Sequence, residues 1–483
     1  MHLGITLRII GVLLTVYSVT MLPPAVVALI YQDGGEVPFF TAFALILAVG
    51  LLCWLTMYKH KQELRVRDGF IIVVVLWSVW SLSGSIPYIL SEDPNMSVTD
   101  AIFESVSGLT TTGATVLSGL DDLPKSILFY RQQQQWLGGM GIIVLAVAVL
   151  PMLGIGGMQL YRAEAPGPVK DNKLTPRITE TAKALWYIYV TLTVVCGFSY
   201  WLAGMDVFDA ICHSFSTVAI GGFSTHDSSI AFFDNPLIEM ICVFFMFFAG
   251  VNFALHFVSW RNRSVLHYLK DAEFVFYFKV MCAITLITIL TLLLNNTYDS
   301  AFEAIRYGVF EAVSISTTTG FATANYAAWP NLVPALLLMG SFIGGCAGST
   351  GGGVKVIRAL LMSKQWMREM HRLIHPNAVF AIKVGNKPVN DRVVEAVWGF
   401  IGAYISIFAA LLLAIMATGL DFETSFSAIA ASINNLGPGL GAVAEHYADI
   451  NDIAKWILCL AMLLGRLEVF TLLVLFSPMF WSR

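Results

Sequence analysis

The sequence predicts an all-α integral membrane protein of ten transmembrane helices, arranged as an N-terminal helix pair followed by four pseudo-repeats of helix, re-entrant loop and helix. Three observations carry that expectation. The 483 residues are 57% hydrophobic and 12% charged, whereas soluble domains carry about 25% charged residues. Ten apolar runs approach the roughly 20 residues that a helix needs to cross a bilayer. One Thr/Gly loop also recurs four times, each copy after a short apolar segment lying between two long ones.

The long runs lie near 8–31, 39–57, 69–91, 134–158, 182–204, 236–258, 274–295, 331–362 (interrupted), 394–419 and 453–477. The first begins directly after Arg8 and is followed by more spans, so it reads as a retained helix rather than a cleaved signal. Lys and Arg concentrate in alternate loops: Lys59 to Arg67, Arg162 to Lys183, Arg261 to Lys270 and Lys355 to Arg392. These are expected to face the cytoplasm, with both termini on that side. The chain then divides into an N-terminal pair (1–66) and repeats at 67–165, 166–265, 266–375 and 376–483.

Between the long helices, short ones are expected near 98–109, 206–218, 300–316 and 422–433. Ser97, Asp206 and Ser300 stand where N-caps belong. Helices below spanning length must dip in and return, which a bilayer tolerates only where nonhelical backbone is buried in protein or lines water. Each is followed by its loop: Thr110-Thr111-Thr112-Gly113, Ala219-Ile220-Gly221-Gly222, Thr317-Thr318-Thr319-Gly320 and Asn434-Asn435-Leu436-Gly437. The last glycines recur at intervals of 109, 98 and 117 residues, a period that marks a repeated structural unit. A glycine at positive φ lets neighbouring carbonyls face one axis. Four such loops around one central pore would supply the ring of oxygens that replaces a cation's water. Helix carboxyl ends aimed at the loops add negative potential there. The competing reading, small-residue packing between helices, explains one copy more easily than four.

Other function classes find little support. The net charge of −4 and the lack of a basic, aromatic-interleaved cluster argue against nucleic acid. Seven scattered cysteines without CxxC spacing form neither a disulfide framework nor a zinc site. His371 and His375 share a helical face but lack a third ligand. No convergent nucleophile or acid/base set is visible, so an enzyme is not expected, and no organic cofactor is called for.

The stretches SGLTTTGAT (107–115), AIGGFSTH (219–226), SISTTTGFAT (314–323), SFIGGCAGSTGGGVKVIR (341–358), NNLGPGLG (434–441) and GRLEVFTLLVLF (465–476) resemble the TrkH, TrkG and KtrB superfamily of potassium transporters, over nearly the whole chain. The resemblance implies a bacterial inner-membrane protein taking up K+. It makes Gly113, Gly222, Gly320 and Gly437 the filter glycines, with K+ held by the backbone carbonyls of Thr111, Thr112, Ile220, Gly221, Thr318, Thr319, Asn435 and Leu436. It further implies a homodimer and a peripheral nucleotide-binding regulator of the TrkA kind, for which Lys355 to Arg392 is the expected docking segment.

Inside the eighth span, Gly344-Gly345-Cys346-Ala347-Gly348-Ser349-Thr350-Gly351-Gly352-Gly353 places six glycines in ten positions. At about 1 kcal/mol each against alanine they should break the helix. The resemblance implies that this segment is a gate beneath the filter. A phosphate-binding P-loop lacks the Gly-Lys-Ser/Thr order here, while a close-packing glycine face competes more seriously. Arg466 lies within the last span, where a lone charge costs at least about 2.5 kcal/mol. It is expected to face the pore and hold the glycine segment by its carbonyls, or else to pair with a carboxylate on another helix. Glu468 is poorly placed for that, since i,i+2 residues diverge. Two transport readings stay open: channel-like uptake, and an ion-coupled (H+ or Na+) secondary symporter. An inverted-repeat transporter would fit broken helices, but all four units here run in the same direction.

Overall fold

The computed structural model describes residues 3–58, 66–144, 178–385 and 387–481. Helices dominate, and the strands among the described residues are the short hairpin of Lys383–Val384 with Lys387–Pro388. In chain order the helices are α1 (Leu3–Val19), α2 (Leu22–Tyr31), α3 (Glu36–Thr56), α4 (Val66–Gly84), α5 (Ile86–Leu90), α6 (Val98–Leu109) and α7 (Lys125–Val144). There follow α8 (Ile178–Leu202), α9 (Val207–Ala219), α10 (Pro236–Ala249), α11 (Phe253–Arg261), α12 (Leu266–Lys270), α13 (Ala272–Leu294) and α14 (Ala301–Ser316). The rest are α15 (Leu332–Ile343), α16 (Val356–Ile374), α17 (Asp391–Met416), α18 (Phe422–Ile433), α19 (Asp452–Arg466), α20 (Phe470–Phe476) and α21 (Pro478–Trp481).

Among the described residues six helical stretches are long and apolar enough to cross a membrane, and two more pairs qualify with sharp bends. The chain is an integral membrane protein. Its outer helices present their side chains to lipid: Leu52, Ile405 and Leu413 are each more than 60% exposed. The four short helices fall where the sequence places them, as α6, α9, α14 and α18. Ser97, Asp206, Ser300 and Asp421 each accept a backbone N–H of the first turn, worth about 1 kcal/mol apiece.

The repeats close into a ring by one rule. The second long helix of each repeat packs on the short helix of the next: α7 on α9, α10 on α14, α15 on α18 and α19 on α6. The N-terminal pair joins this ring through one apolar cluster that unites Tyr17 and Phe39 with Phe103, Ala428 and Leu458.

Three predicted spans need correction or completion. The fourth, expected near 134–158, starts earlier, at Lys125, and its remainder beyond Val144 lies outside the described residues, as do 59–65 and most of the basic stretch 162–183. The sixth, expected unbroken, bends by 95° between α10 and α11, and the tenth bends by 113° between α19 and α20. In the sixth, the Asn252 side chain caps the Ala254 N–H at 2.8 Å, ending one helix and starting another. In the tenth, Glu468 and Val469 both sit at positive φ, and Glu468 is held by Arg358 at 2.6 Å. Neither break contains proline, so hydropathy alone could not reveal it.

Helices α1 and α3 approach through small residues. A methyl group added at Gly50 would lie 2.8 Å from the Thr15 backbone nitrogen and 3.0 Å from the Gly11 carbonyl oxygen. Such close approach is how apolar helices associate in lipid, where burial alone supplies no drive. Gly50→Val is therefore expected to lower the midpoint of thermal unfolding in detergent, at a cost of about 1–3 kcal/mol. Gly402→Ala, where an added methyl meets nothing within 4 Å, should leave the midpoint unchanged or raise it by up to ~1 kcal/mol. Equal midpoints for the two variants would contradict this packing.

Candidate ion-conduction site

The four loops share one backbone shape. Thr111, Ile220, Thr318 and Asn435 lie at positive φ (54°, 56°, 69° and 54°), and so, two residues on, do Gly113, Gly222, Gly320 and Gly437 (82°, 79°, 83° and 101°). The intervening Thr112, Gly221, Thr319 and Leu436 do not. Alternation of left-handed and ordinary residues turns successive carbonyls toward one side. Positive φ at β-branched Thr111, Ile220 and Thr318 costs on the order of 1–3 kcal/mol each and persists only where the surroundings impose it.

The loops meet each other in cyclic order. A methyl group added at Gly113 would sit 2.1 Å from the Gly221 carbonyl oxygen, one at Gly222 would sit 2.1 Å from that of Thr319, and one at Gly320 would sit 2.2 Å from that of Leu436. At Gly437 the neighbour is the Thr112 carbonyl oxygen, 2.6 Å away. First touches second, second third, third fourth, and fourth first. No side chain fits at any of the four glycines, because a neighbouring loop's carbonyl already occupies that space. The fourth contact is reinforced where Asn435 Nδ2 donates to Thr112 Oγ1 at 3.0 Å.

On one side of the ring lies a vestibule of about 510 Å3, bounded by the four glycines and by Asp227, Glu445 and His446. His226, also on its wall, stands between Asp121 and Asp209. Burial would lower its imidazole pKa, but hydrogen bonds and charge from Asp209 and Asp121 outweigh burial and raise it.

On the other side, residues 344–353 lie directly beneath the loops. Gly353 N–H donates to the Asn434 carbonyl at 3.0 Å, Gly352 N–H to Thr318 Oγ1 at 2.7 Å, and Thr350 Oγ1 to the Val218 carbonyl at 2.9 Å. The segment thus touches the second, third and fourth loops at their entries. Arg466 is buried, donating to the Gly138 carbonyl at 2.7 Å and, more weakly, to that of Thr350 at 3.4 Å. Among the described residues no carboxylate pairs with it. Glu468 instead binds Arg358.

Lys355, read from the sequence as the start of a cytoplasmic stretch, is buried, and its Nζ donates to the Gly351 carbonyl. The sequence reading also missed the groups that brace the loops from behind. Nine residues before each of the first three loop glycines stands a buried polar side chain: Glu104, His213 and Glu311. Glu104 accepts the Val116 N–H at 3.0 Å and pairs with Arg131 at 2.8 Å, and Arg131 reaches the Ser224 carbonyl of the second loop at 3.0 Å. His213 meets Ser224 Oγ at 3.0 Å. Glu311 Oε1 accepts the N–H groups of Thr323 and Ala324 at 2.7 and 3.1 Å, while its Oε2 has no partner among the described residues. The fourth repeat has Ala428 there, and neighbouring Ser427 bonds Leu440 in its place. Gln135 spans Gly221 and Phe223, donating to the Gly221 carbonyl at 2.6 Å and accepting the Phe223 N–H at 3.0 Å. One of the eight expected axial carbonyls, that of Gly221, therefore already accepts one hydrogen bond. A run of Arg131 and four glutamines leading into an apolar span was the available signal, since polar groups within a membrane helix mark function by default.

These are positioning residues, and two of them differ in a measurable way. Glu104→Gln leaves the buried Arg131 charge without its carboxylate partner and should cost about 3–5 kcal/mol. Glu311→Gln keeps the acceptor for Thr323 and Ala324 and should cost less than ~1.5 kcal/mol. Thermal unfolding of the two purified variants compares them, and equal losses would refute the distinction.

Comparison with known proteins shows the family. Residues 36–483 match the model of the TrkH family, described as a cation transport protein. The chain is 58% identical over 477 residues to the Trk system potassium uptake protein TrkH of Vibrio parahaemolyticus, covering 98% of both chains. It is 56% identical over 483 residues to TrkH of Escherichia coli, covering 100% of both, and 43% identical over 480 residues to TrkG of the same organism, covering 99% of both. The crystal structure of the potassium transporter TrkH from Vibrio parahaemolyticus superimposes with a TM-score of 0.92 at 54% identity, covering 100% of both chains. The chain belongs to the TrkH family of cation transport proteins.

Proposed function

We propose that this protein takes up potassium across the bacterial inner membrane through a selectivity filter made of the four loops. The observation that carries this is the cyclic contact of Gly113, Gly222, Gly320 and Gly437 with the carbonyls of Gly221, Thr319, Leu436 and Thr112. It brings four sets of backbone oxygens to one place without putting a fixed charge there, as a dehydrated monovalent cation requires. The named relatives are potassium uptake proteins.

The glycine segment 344–353 serves as the gate in this reading. It lies against the loop entries, and its freed backbone groups bond to protein rather than lipid. Arg466 and Lys355 place positive charge against it from below, through the carbonyls of Thr350 and Gly351. That arrangement both holds the segment and repels a cation. Both termini face the cytoplasm in this reading, and the protein works as a homodimer. The helix α16 and the hairpin that follow the gate make up most of the Lys355 to Arg392 stretch, where a TrkA-like nucleotide-binding subunit would dock and move the gate. The relatives' designation as a Trk system fits a partnered assembly.

Rubidium flux into proteoliposomes tests the filter and the gate separately. Gly113→Ala should lower flux at least about tenfold, the equivalent of ~1.4 kcal/mol on the barrier, with loss of preference over sodium. Undiminished, selective flux would remove the filter assignment. Arg466→Ala should raise resting flux by about tenfold through loss of a comparable barrier term; unchanged flux in the folded variant would remove the gate role. Running the same assay with and without a proton or sodium gradient separates conduction from ion-coupled symport.

A further inference from the structure

The bend between α10 and α11 is bound to the glycine segment. Cys346 N–H donates to the Gly250 carbonyl at 2.8 Å, Phe253 N–H donates to the Gly348 carbonyl at 3.1 Å, and Thr350 Oγ1 reaches the Ala249 carbonyl at 3.3 Å. Three of the backbone groups freed at this elbow are thus bonded to residues 344–353. These bonds join the elbow to the segment.

Behind the elbow, at the end away from the vestibule, lies a cavity of about 460 Å3 between α8, α10, α11 and α12. Its walls are apolar and aromatic, including Ile188, Leu192, Phe244, Phe248 and Trp260. His256 shapes it, bonding the Tyr268 hydroxyl at 2.7 Å and the Phe248 carbonyl at 2.9 Å. At its edge stands Arg263, exposed, in left-handed conformation (φ 48°) and without a carboxylate partner among the described residues. From Trp260 to Lys270 the chain carries Arg261, Arg263 and Lys270 and no acidic residue. The same stretch exposes Trp260, Val265, Leu266 and Leu269, at 70%, 75%, 55% and 68%.

We propose that this groove binds an anionic phospholipid, its phosphate on Arg263 and one acyl chain in the cavity, and that the bound lipid steadies the elbow on which the glycine segment hangs. The chemistry selects that ligand. Apolar, aromatic walls around a cavity of this volume suit an apolar chain, and a guanidinium fork suits phosphate. Exposed Trp and Leu interleaved with basic residues mark the headgroup level of a leaflet, where anionic lipid concentrates near juxtamembrane Arg and Lys. A free anion would leave the apolar walls without a role. A second copy of the chain would have to bring a carboxylate to Arg263. The effect on flux, though not the binding, rests on the gate assignment above.

Native mass spectrometry of the purified full-length chain, with phosphatidylglycerol and phosphatidylcholine offered in equal amounts, tests the binding. Phosphatidylglycerol should be retained at one per chain. Arg263→Glu should weaken that retention at least about tenfold, and Leu192→Trp, which fills the cavity and leaves the charges alone, should weaken it similarly. Equal retention of the two lipids, retention indifferent to both variants, or displacement by inorganic phosphate would overturn the site, as would dissociation of an oligomer by Arg263→Glu with no change in bound lipid. Rubidium flux in liposomes with and without phosphatidylglycerol tests the elbow: wild type should respond to the lipid and Arg263→Glu should not. Lipid retained without any response would overturn the coupling while the binding site stands, which separates a wrong gate from a wrong site. Thermal unfolding confirms that both variants are folded.

Discussion

A peptide group inside a bilayer has no water to bond, and this constraint orders the whole molecule. Four re-entrant loops, one glycine segment and two broken helices all interrupt the helical ladder at depth. The structure answers by pairing one interruption with another. Gly353 bonds the fourth loop at Asn434, Gly352 the third at Thr318, and Cys346 the broken end of α10 at Gly250. The irregular regions are therefore one connected object rather than separate defects.

The same economy governs the side chains behind the loops. Strained backbone at Ile220 and Thr318 survives because its flanks are fixed from outside, by Gln135 on Gly221 and Phe223 and by Glu311 on Thr323 and Ala324. The bracing differs from repeat to repeat: an ion pair in the first, a histidine in the second, a half-satisfied carboxylate in the third and a serine in the fourth. The ring's backbone is near-symmetric, but its support is not.

Much of this was legible in the sequence, for physical reasons. Local chemistry was read well: Ser97, Asp206 and Ser300 cap helices because an Ncap acts within one turn, and six glycines between 344 and 353 do break a helix. Relations across hundreds of residues were not. Nothing local ties Arg358 to Glu468, 110 residues on, whereas Lys355 turns back within one turn onto Gly351 and is buried, although its charge marks it in the sequence as the start of a cytoplasmic stretch. The polar run from Arg131 to Gln135 falls mostly outside the span expected at 134–158, and only the earlier helix start at Lys125 places it within the membrane-spanning helix. The bends at Gly250 and Glu468 are not legible from average hydropathy, because Asn252 in the first and Arg466 and Glu468 in the second are too few to offset the apolar residues on either side.

A circle drawn by a single polypeptide must have a seam where its last quarter returns to its first. Here the seam lies between Gly437 and Thr112, where a methyl group added at the glycine would stand 2.6 Å from the facing carbonyl oxygen against 2.1–2.2 Å at the other three junctions, and where Asn435 adds a side-chain hydrogen bond to Thr112. Assembled tetramers of identical subunits have no such privileged joint and must change all four quarters at once. A one-chain ring can alter a single quarter by a single codon, so each quarter can change while the other three keep their sequence.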